Sequence, residues 1–161
     1  MNISAGYFYF VKDEFFNIIN DRELMQKKEN GKKRPCYYCF KRKDNDKIIW
    51  FIPVSTKVEK YKNIYNKKIQ KQIKLGKRPS IDTIVFGYVS NIYSTFLIQN
   101  MFPITEEYIE KQYIKNKVAI TLSNKLQKEI VNKANKVLIL YNNGMKNIIF
   151  PDIDNILNKL L

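Results

Sequence analysis

The segment Ile52-Pro53-Val54-Ser55-Thr56-Lys57 places two hydroxyl groups and an ammonium group directly after an apolar run. The apolar run predicts a buried strand, so the polar side chains that follow it should stand at the surface on a rigid support. Hydroxyls donate hydrogen bonds to phosphate oxygens, and a lysine supplies positive charge where a pentavalent phosphate accumulates negative charge. Ser55, Thr56 and Lys57 are therefore candidates for chemistry at a phosphate. A plain surface turn is the alternative interpretation of the same triplet.

The absence of histidine limits what this chemistry can be. It excludes histidine acid/base catalysis, Ser–His and Cys–His nucleophiles, and most catalytic zinc sites. The two cysteines, Cys36 and Cys39, lie in an aromatic stretch typical of a strand. Residues three apart on a strand face opposite sides, so we expect two strand thiols and neither a metal nor a cofactor.

The charge balance points to a polyanionic partner. The chain has 161 residues, with 29 Lys and Arg against 15 Asp and Glu, and a formal net charge of +14. Like charges repel in the compact state, and nucleic acid is the commonest partner that offsets such an excess. An anionic membrane surface is the other candidate.

Length and hydropathy indicate one domain over residues 1–161. A 45% hydrophobic composition is enough to build a core at this length. The longest apolar run, Ile48–Val54, is far shorter than the ~20 residues of a spanning helix. The start of the chain, Met1–Ala5, lacks the pattern of a secretory signal. We therefore expect a cytoplasmic protein without a membrane partner.

The hydrophobic patterning predicts an α+β fold, in which helices pack against a small, strongly bent β-sheet or half-open barrel. The predicted strands are Tyr7–Lys12, Pro35–Lys41, Lys47–Val54, Ile81–Ser90, Tyr93–Pro103 and Asn147–Phe150. The predicted helices are one capped by Asp13, one from Val58, a weaker one from Thr105, one over Leu126–Tyr141 and one capped by Asp152, with a loop over Gln26–Arg34. The second and third strands should form a hairpin, which brings Arg34 close to Val54–Lys57.

The helix from Val58 has an apolar stripe and a separate basic stripe, and it should end at Gly76. The lysines of the basic stripe are Lys57, Lys60, Lys67, Lys71 and Lys74. This stripe is either an RNA-binding surface or a solvated face. Four tyrosines could stack on unpaired bases or belong to the core, namely Tyr37, Tyr38, Tyr61 and Tyr65.

Two stretches together resemble a known family. They are Lys33-Arg34-Pro35-Cys36-Tyr37-Tyr38, where a basic residue and a proline open a strand, and Trp50-Phe51-Ile52-Pro53-Val54-Ser55-Thr56-Lys57, where a strand ends in hydroxyls and a lysine. They resemble the ToxN/AbiQ/CptN-like endoribonuclease toxins of type III toxin–antitoxin systems. The resemblance is close over residues 33–62 and looser beyond. The chain lacks the proline that some members place between the hydroxyl pair and the lysine.

The resemblance implies an SH3-like antiparallel β-barrel core of the Kid/MazF type with several packed helices. It also implies metal-independent cleavage of cellular or phage RNA. The inhibitor would be a small antitoxin RNA with pseudoknot-type repeats, which assembles with the toxin into a closed RNA–protein hetero-oligomer. The implied catalytic residues are Ser55, Thr56, Lys57 and Arg34, with Lys33 as a second basic residue beside them.

RNA carries its own nucleophile, the 2′-hydroxyl, so metal-free cleavage needs only proton transfer and charge stabilisation from the protein. The expected products end in a 2′,3′-cyclic phosphate and a 5′-hydroxyl. Two other classes of protein remain open at this point. One is a non-catalytic RNA- or DNA-binding module, and the other is a basic protein of membrane surfaces.

Overall fold

A computed structural model describes residues 2–24 and 33–161, and within them the chain forms nine strands and four helices. The strands are β1 (Phe8–Val11), β2 (Cys36–Lys41), β3 (Ile49–Ser55), β4 (Ile84–Val89), β5 (Ile92–Leu97), β6 (Phe102–Ile104), β7 (Ile109–Gln112), β8 (Ile114–Lys115) and β9 (Val118–Ala119). The helices are α1 (Asp13–Ile19), α2 (Val58–Lys74), α3 (Asn124–Asn142) and α4 (Ile153–Leu160). The predicted α+β class is confirmed.

The main sheet is antiparallel and open. Over the described residues its order is β4-β5-β3-β2-β1-β7, and β6 pairs with one end of β3. The outer strands β4 and β7 do not pair with each other in this part of the chain, so the sheet does not close into a barrel. The closed SH3-like core that the resemblance implied is therefore not what these pairings form. The small hairpin β8–β9 forms a sheet of its own.

The predicted hairpin of β2 and β3 is confirmed. Its register pairs Cys36 with Pro53 and Lys41 with Ile49, with an irregularity between Tyr38 and Phe40. The start of β2 and the end of β3 therefore lie side by side. This arrangement brings Arg34, just before β2, close to the residues that follow β3.

Strand β3 changes partners along its length. Ile49–Phe51 pairs with β6, and Val54 and Ser55 pair with β5. Between these two pairings, β5 and β6 are separated by a 3₁₀ turn at Ile98–Asn100. Pro53 lies between these two sets of paired residues. Because proline has no N–H group to donate, it favours an interruption of the pairing at this point of β3. The single strand predicted over Tyr93–Pro103 is therefore wrong in this respect.

The core lies along β1, β2, β3 and the β5–β6 segment. Its largest fully buried side chains are aromatic, and they include Phe8, Tyr9, Tyr37, Tyr38, Phe51, Phe96 and Phe102. Ring pairs between strands connect them, such as Phe8 to Tyr37 at 5.2 Å and Phe51 to Phe102 at 6.1 Å between centroids. Tilted and edge-on pairs of this kind add to the stabilisation from burial.

The long helices pack on the sheet very differently. Helix α3 buries Ile130, Ala134, Val137 and Tyr141, and the Ser123 side chain caps its N-terminus by accepting the Leu126 N–H at 3.2 Å. It approaches β4 so closely that a Cβ atom at Gly87 would lie 2.4 Å from a methyl group of Leu126. Helix α2 fully buries only Tyr61. The C-terminal half of α2 is thus an exposed surface element.

Several local predictions differ from the structure. The weaker helix predicted from Thr105 is a 3₁₀ turn at Glu106–Tyr108 followed by strand β7, because pairing with β1 overrides helical propensity. The strand predicted over Asn147–Phe150 is wrong, since Lys146–Ile148 form a 3₁₀ turn. Helix α1 begins at Asp13, and Lys12 occupies the N-cap position without a side-chain hydrogen bond, so the predicted cap at Asp13 is wrong. The cap at Asp152 is confirmed by its hydrogen bond from the Asn155 N–H at 3.2 Å. Of the predicted loop, residues 26–32 lie outside the described part of the chain.

Candidate functional site

An open groove of about 970 Å³ lies where the ends of β2 and β3 meet the start of α2. One wall carries Arg34 together with three residues from the β3–α2 junction and the first turn of the helix, namely Lys57, Lys60 and Tyr61. A second group of lining residues, which we call the second wall, consists of residues 20–24 together with Asp152 and Asn155. Gln99 and Asn100, from the 3₁₀ turn between β5 and β6, also line the groove.

Arg34 and Lys57 line the same groove because of the β2–β3 register. Cys36 lies opposite Pro53, so the residues before Cys36 run alongside the residues after Pro53. Two cationic groups that are far apart in sequence therefore line one groove. The start of α2 lies beside them, and the positive end of a helix dipole favours anions. This wall has the charge pattern that a phosphate group requires.

The second wall carries both acidic and basic side chains, and Asp21 connects its parts by hydrogen bonds. One Asp21 carboxylate oxygen accepts the Glu23 N–H at 2.9 Å, and the other accepts the Asp152 N–H at 2.8 Å. The backbone oxygen of Glu23 in turn accepts a hydrogen bond from Asn100 Nδ2 at 3.2 Å. These bonds connect residues 21–23 to the start of α4 and to the 3₁₀ turn between β5 and β6.

Ser55 has a structural position. It is 1% exposed, and its Oγ accepts the Lys57 N–H at 3.2 Å. This side-chain-to-backbone bond fixes the turn between β3 and α2. This position favours a structural role for Ser55, and its direct catalytic role stays a prediction. Thr56 and Lys57, which follow it, are exposed.

Tyr61 lines the groove with its ring largely buried. It is 6% exposed, which favours the core interpretation of this tyrosine over stacking on RNA. Burial raises the pKa of its hydroxyl, and the Arg34 charge opposes that rise. At neutral pH the Tyr61 hydroxyl is protonated and can donate.

Tyr37 belongs to the core. It is 1% exposed, and its ring lies 5.2 Å from that of Phe8 and 5.9 Å from that of Phe96. Burial raises the pKa of its hydroxyl, so it stays neutral. Of the two interpretations that the sequence allowed for Tyr37, burial favours the core over RNA binding.

Lys33 is directed to carboxylates of the protein itself. Its ammonium group lies 3.4 Å from an Asp13 carboxylate oxygen and 3.3 Å from a Glu110 carboxylate oxygen. It connects the start of β2 to α1 and β7. Two acidic groups thus offset its charge, and contact of Lys33 with RNA stays a prediction.

The predicted lysine stripe divides into two parts along α2. Lys60 lines the groove, and its ammonium group lies 5.3 Å from the centre of the Tyr61 ring. Lys67, Lys71 and Lys74 line a separate hollow of about 380 Å³ on the exposed half of the helix. The exposure of these lysines agrees with the pattern in the sequence. Their contact with RNA stays a prediction.

Several groove residues were missed by the sequence analysis. Arg22, Glu23, Gln99 and Asn100 line the groove but stand in no recognisable motif. A signal did exist for the last two, since a Gln-Asn pair interrupts an otherwise apolar run. Behind the groove, Lys68 Nζ donates to Thr83 Oγ1 at 3.0 Å and to Gln99 Oε1 at 3.2 Å, and burial lowers its pKa. This bond fixes the side chain of Gln99.

Metal chemistry has no evident site in residues 2–24 and 33–161, where no three His, Cys, Asp or Glu side chains converge. Cys36 and Cys39 are both buried and free, as the strand pattern predicts. Burial raises the pKa of Cys36 to about 12 and also raises that of Cys39. Neither thiol is a reactive thiolate at neutral pH. Among the described helices, none is long and apolar enough to cross a membrane.

Comparison with known proteins gives little further information. No protein-family model matches the chain, and no curated protein matches it in sequence. Among solved structures it is similar to the Mycobacterium tuberculosis toxin MazF-mt6, with a TM-score of 0.41 and 10% identity, over 81% of this chain and 93% of that one. Similarity at this level tells nothing about the activity of the present chain.

Proposed function

We propose that this protein is a metal-independent endoribonuclease. The substrate's 2′-hydroxyl gives its proton to a water molecule and attacks the adjacent phosphorus, and the bond from phosphorus to the 5′-oxygen breaks as that oxygen takes up a proton. The products carry a 2′,3′-cyclic phosphate and a 5′-hydroxyl. The observation that carries the proposal is the groove in which Arg34 and Lys57 line one wall.

The side chains on this wall suit that reaction. Lys57 and Arg34 stabilise the charge on the phosphorane, and Lys57 is also able to exchange a proton. The exposed Thr56 hydroxyl follows the same strand end and holds a non-bridging oxygen. The Tyr61 hydroxyl, whose pKa is raised by burial, is a proton donor for the departing 5′-oxygen. Ser55 acts only by holding the turn that presents Lys57.

We further propose that the enzyme is the toxin of a type III toxin–antitoxin system. Its targets are cellular or phage RNAs, and its biological role is growth arrest in defence against phage. A small antitoxin RNA of pseudoknot-type repeats inhibits it by forming a closed RNA–protein hetero-oligomer in the cytoplasm. Support comes from the two stretches that resemble the ToxN/AbiQ/CptN-like family and from the net charge of +14.

The test is cleavage of labelled RNA in EDTA, with protein freed of bound RNA by denaturation and refolding. Wild type should produce cyclic-phosphate and 5′-hydroxyl ends, and Lys57→Ala should reduce cleavage about 100-fold or more. Lys43→Ala is the matched control, because Lys43 is an exposed lysine in the turn at the other end of the β2–β3 hairpin. Equal cleavage by Lys57→Ala and Lys43→Ala would remove Lys57 from the reaction.

A non-catalytic RNA- or DNA-binding module is the second candidate. The observation that favours it is the use of Ser55 in a backbone turn, which removes one of the polar groups expected at the phosphate. A folded wild type that binds RNA with strong salt dependence but produces no new ends would establish this alternative. The cleavage assay thus separates the two functions.

A further inference from the structure

A cluster of aromatic side chains lies on the solvent side of the β4–β5 hairpin, where it meets α2. We call it the hairpin cluster, and its members are Tyr65, Phe86, Tyr88 and Tyr93, with Lys62 beside them. Phe86 and Tyr93 are nearly parallel, with centroids 6.3 Å apart and an interplanar angle of 20°. Tyr88 lies 4.9 Å from Tyr93, and Tyr65 lies 5.6 Å from Phe86.

The cluster follows from strand geometry. Phe86 and Tyr88 are two residues apart on β4 and so share one face, and Tyr93 is paired directly with Tyr88 across the hairpin. The other face of β4 is turned to α3, where Gly87 packs against Leu126. One face of the hairpin is therefore committed to the core. The other presents rings to solvent.

Two rings of the hairpin cluster, Tyr88 and Tyr93, are exposed to solvent. Tyr88 is 62% exposed and Tyr93 is 37% exposed, whereas the core tyrosines on β1 and β2 are at most 1% exposed. Lys62 Nζ lies 5.4 Å from the centre of the Tyr93 ring and 6.0 Å from that of Phe86. A cation is thus placed over two rings of the hairpin cluster. A stacked base would bring its phosphate to such a cation.

The hairpin cluster and the groove lie on two flanks of the same helix. Lys60 and Tyr61 line the groove, whereas Lys62 and Tyr65 contact the cluster. A helix with its side chains is about 10–12 Å across, so residues on its two flanks lie within that distance of each other at the same height along the helix. A strand of RNA lying across the first half of α2 can reach both.

We propose that the hairpin cluster is a stacking platform for unpaired bases of single-stranded RNA bound across α2. The inference deepens the proposed function and rests on RNA being the ligand. Open rings, an adjacent lysine and a net charge of +14 fit the exposed bases and the phosphates of a single strand. A duplex, whose bases are stacked on one another, does not offer the same surface.

The test measures binding of the full chain to a 2′-O-methylated oligonucleotide, which lacks the attacking hydroxyl and is not cleaved. The double variant Tyr88→Leu/Tyr93→Leu keeps apolar bulk and removes the rings, whereas Tyr88→Phe/Tyr93→Phe keeps the rings. The leucine variant should bind roughly 5- to 150-fold more weakly for each base that loses its stacking partner. The phenylalanine variant should bind as wild type does.

Two controls test the base dependence. Ile92→Ala removes an equally exposed apolar side chain from the other face of the same hairpin and should leave binding unchanged. An oligonucleotide of the same length with abasic sites should bind the leucine variant and wild type equally. A loss that is the same on abasic and normal oligonucleotides, or a leucine variant that binds as well as the phenylalanine variant, overturns the proposal.

The outcomes separate this inference from the proposed function. If wild type cleaves RNA in EDTA and the leucine variant binds normally, only the stacking platform is wrong. If wild type cleaves no RNA but the ring-dependent loss is found, the platform stands and the catalytic function is wrong. If folded wild type neither binds the oligonucleotide nor cleaves RNA, both are overturned; if it cleaves RNA but does not bind the oligonucleotide, only the stacking platform is overturned.

Discussion

Arg34 lines the same groove as Lys57 because of the β2–β3 register. Its charge acts on the Tyr61 hydroxyl as well, where it opposes the rise in pKa that burial causes. In the proposed reaction Arg34 stabilises the phosphorane and also acts on the Tyr61 proton donor. A single substitution at this position should affect both roles.

We expect Arg34→Ala to lower the rate of RNA cleavage about 100-fold or more, because a charged donor is lost from the transition state. Arg34→Lys should recover only part of the rate, since lysine keeps the charge but lacks the planar fork of donors. Single-turnover cleavage rates measure the effect, and circular dichroism confirms folding. Wild-type rates for Arg34→Ala would remove Arg34 from the site.

Ser55 tests the difference between a structural and a chemical role. Ser55→Ala removes the acceptor of the Lys57 N–H and should lower the free energy of unfolding by about 1 kcal/mol. Its cleavage rate should fall much less than that of Lys57→Ala. Urea unfolding and cleavage assays measure the two effects. Unchanged stability with cleavage as low as in Lys57→Ala would mean that Ser55 acts in the reaction itself.

Helix α2 is the element that connects the whole proposed RNA surface. Its first half borders the groove and the hairpin cluster, and its exposed second half carries Lys67, Lys71 and Lys74. Its single fully buried residue is Tyr61. The sequence of α2 is therefore constrained little by the core, and its lysines are free to serve a binding surface.

The double variant Lys67→Ala/Lys71→Ala tests this surface. Each lost phosphate contact should flatten the dependence of log affinity on log salt by ~0.7 for a single strand. Lys128→Ala/Lys136→Ala removes the same charge from exposed positions of α3 and should leave the slope unchanged. Affinity titrations at several NaCl concentrations measure the slopes. Equal slopes for both variants and wild type would make the stripe a solvated face.

At the scale of the whole molecule, the aromatic core contains ionisable groups that are kept neutral. Burial raises the pKa of Cys36 from 9.0 to about 12 and that of Tyr38 from 10.0 to about 12. The folded chain thus keeps protons that the unfolded chain releases in alkali. By linkage, the free energy of unfolding must fall as pH rises above about 9.

Urea unfolding between pH 7 and pH 10.5, under reducing conditions, measures this loss. The midpoint should be steady to about pH 8 and then decrease. The double variant Cys36→Ala/Cys39→Ala should start from a lower midpoint and decrease less steeply, because two of the groups that take part are gone. A midpoint that stays level to pH 10.5 would contradict the buried, neutral state of these groups.

The sequence by itself determined the local elements and the identity of one wall of the site. Alternating and helical patterns, together with turn residues, are short-range signals, so the β2–β3 hairpin, α2, α3 and the cap at Asp152 could be predicted. The hairpin prediction also placed Arg34 beside the end of β3, although only the folded register shows that it lines one groove with Lys57. It did so because an antiparallel turn fixes which residues meet.

Only the tertiary structure decided which side chains face the groove. Ser55 and Thr56 are neighbours with similar hydroxyls, yet one is buried in a turn and the other is exposed. Tyr37 is covered on β2, whereas Tyr88 is open on β4, and no local pattern distinguishes them. Burial depends on what packs against a strand from distant parts of the chain. The second wall, the open sheet and the hairpin cluster are long-range consequences of the same packing.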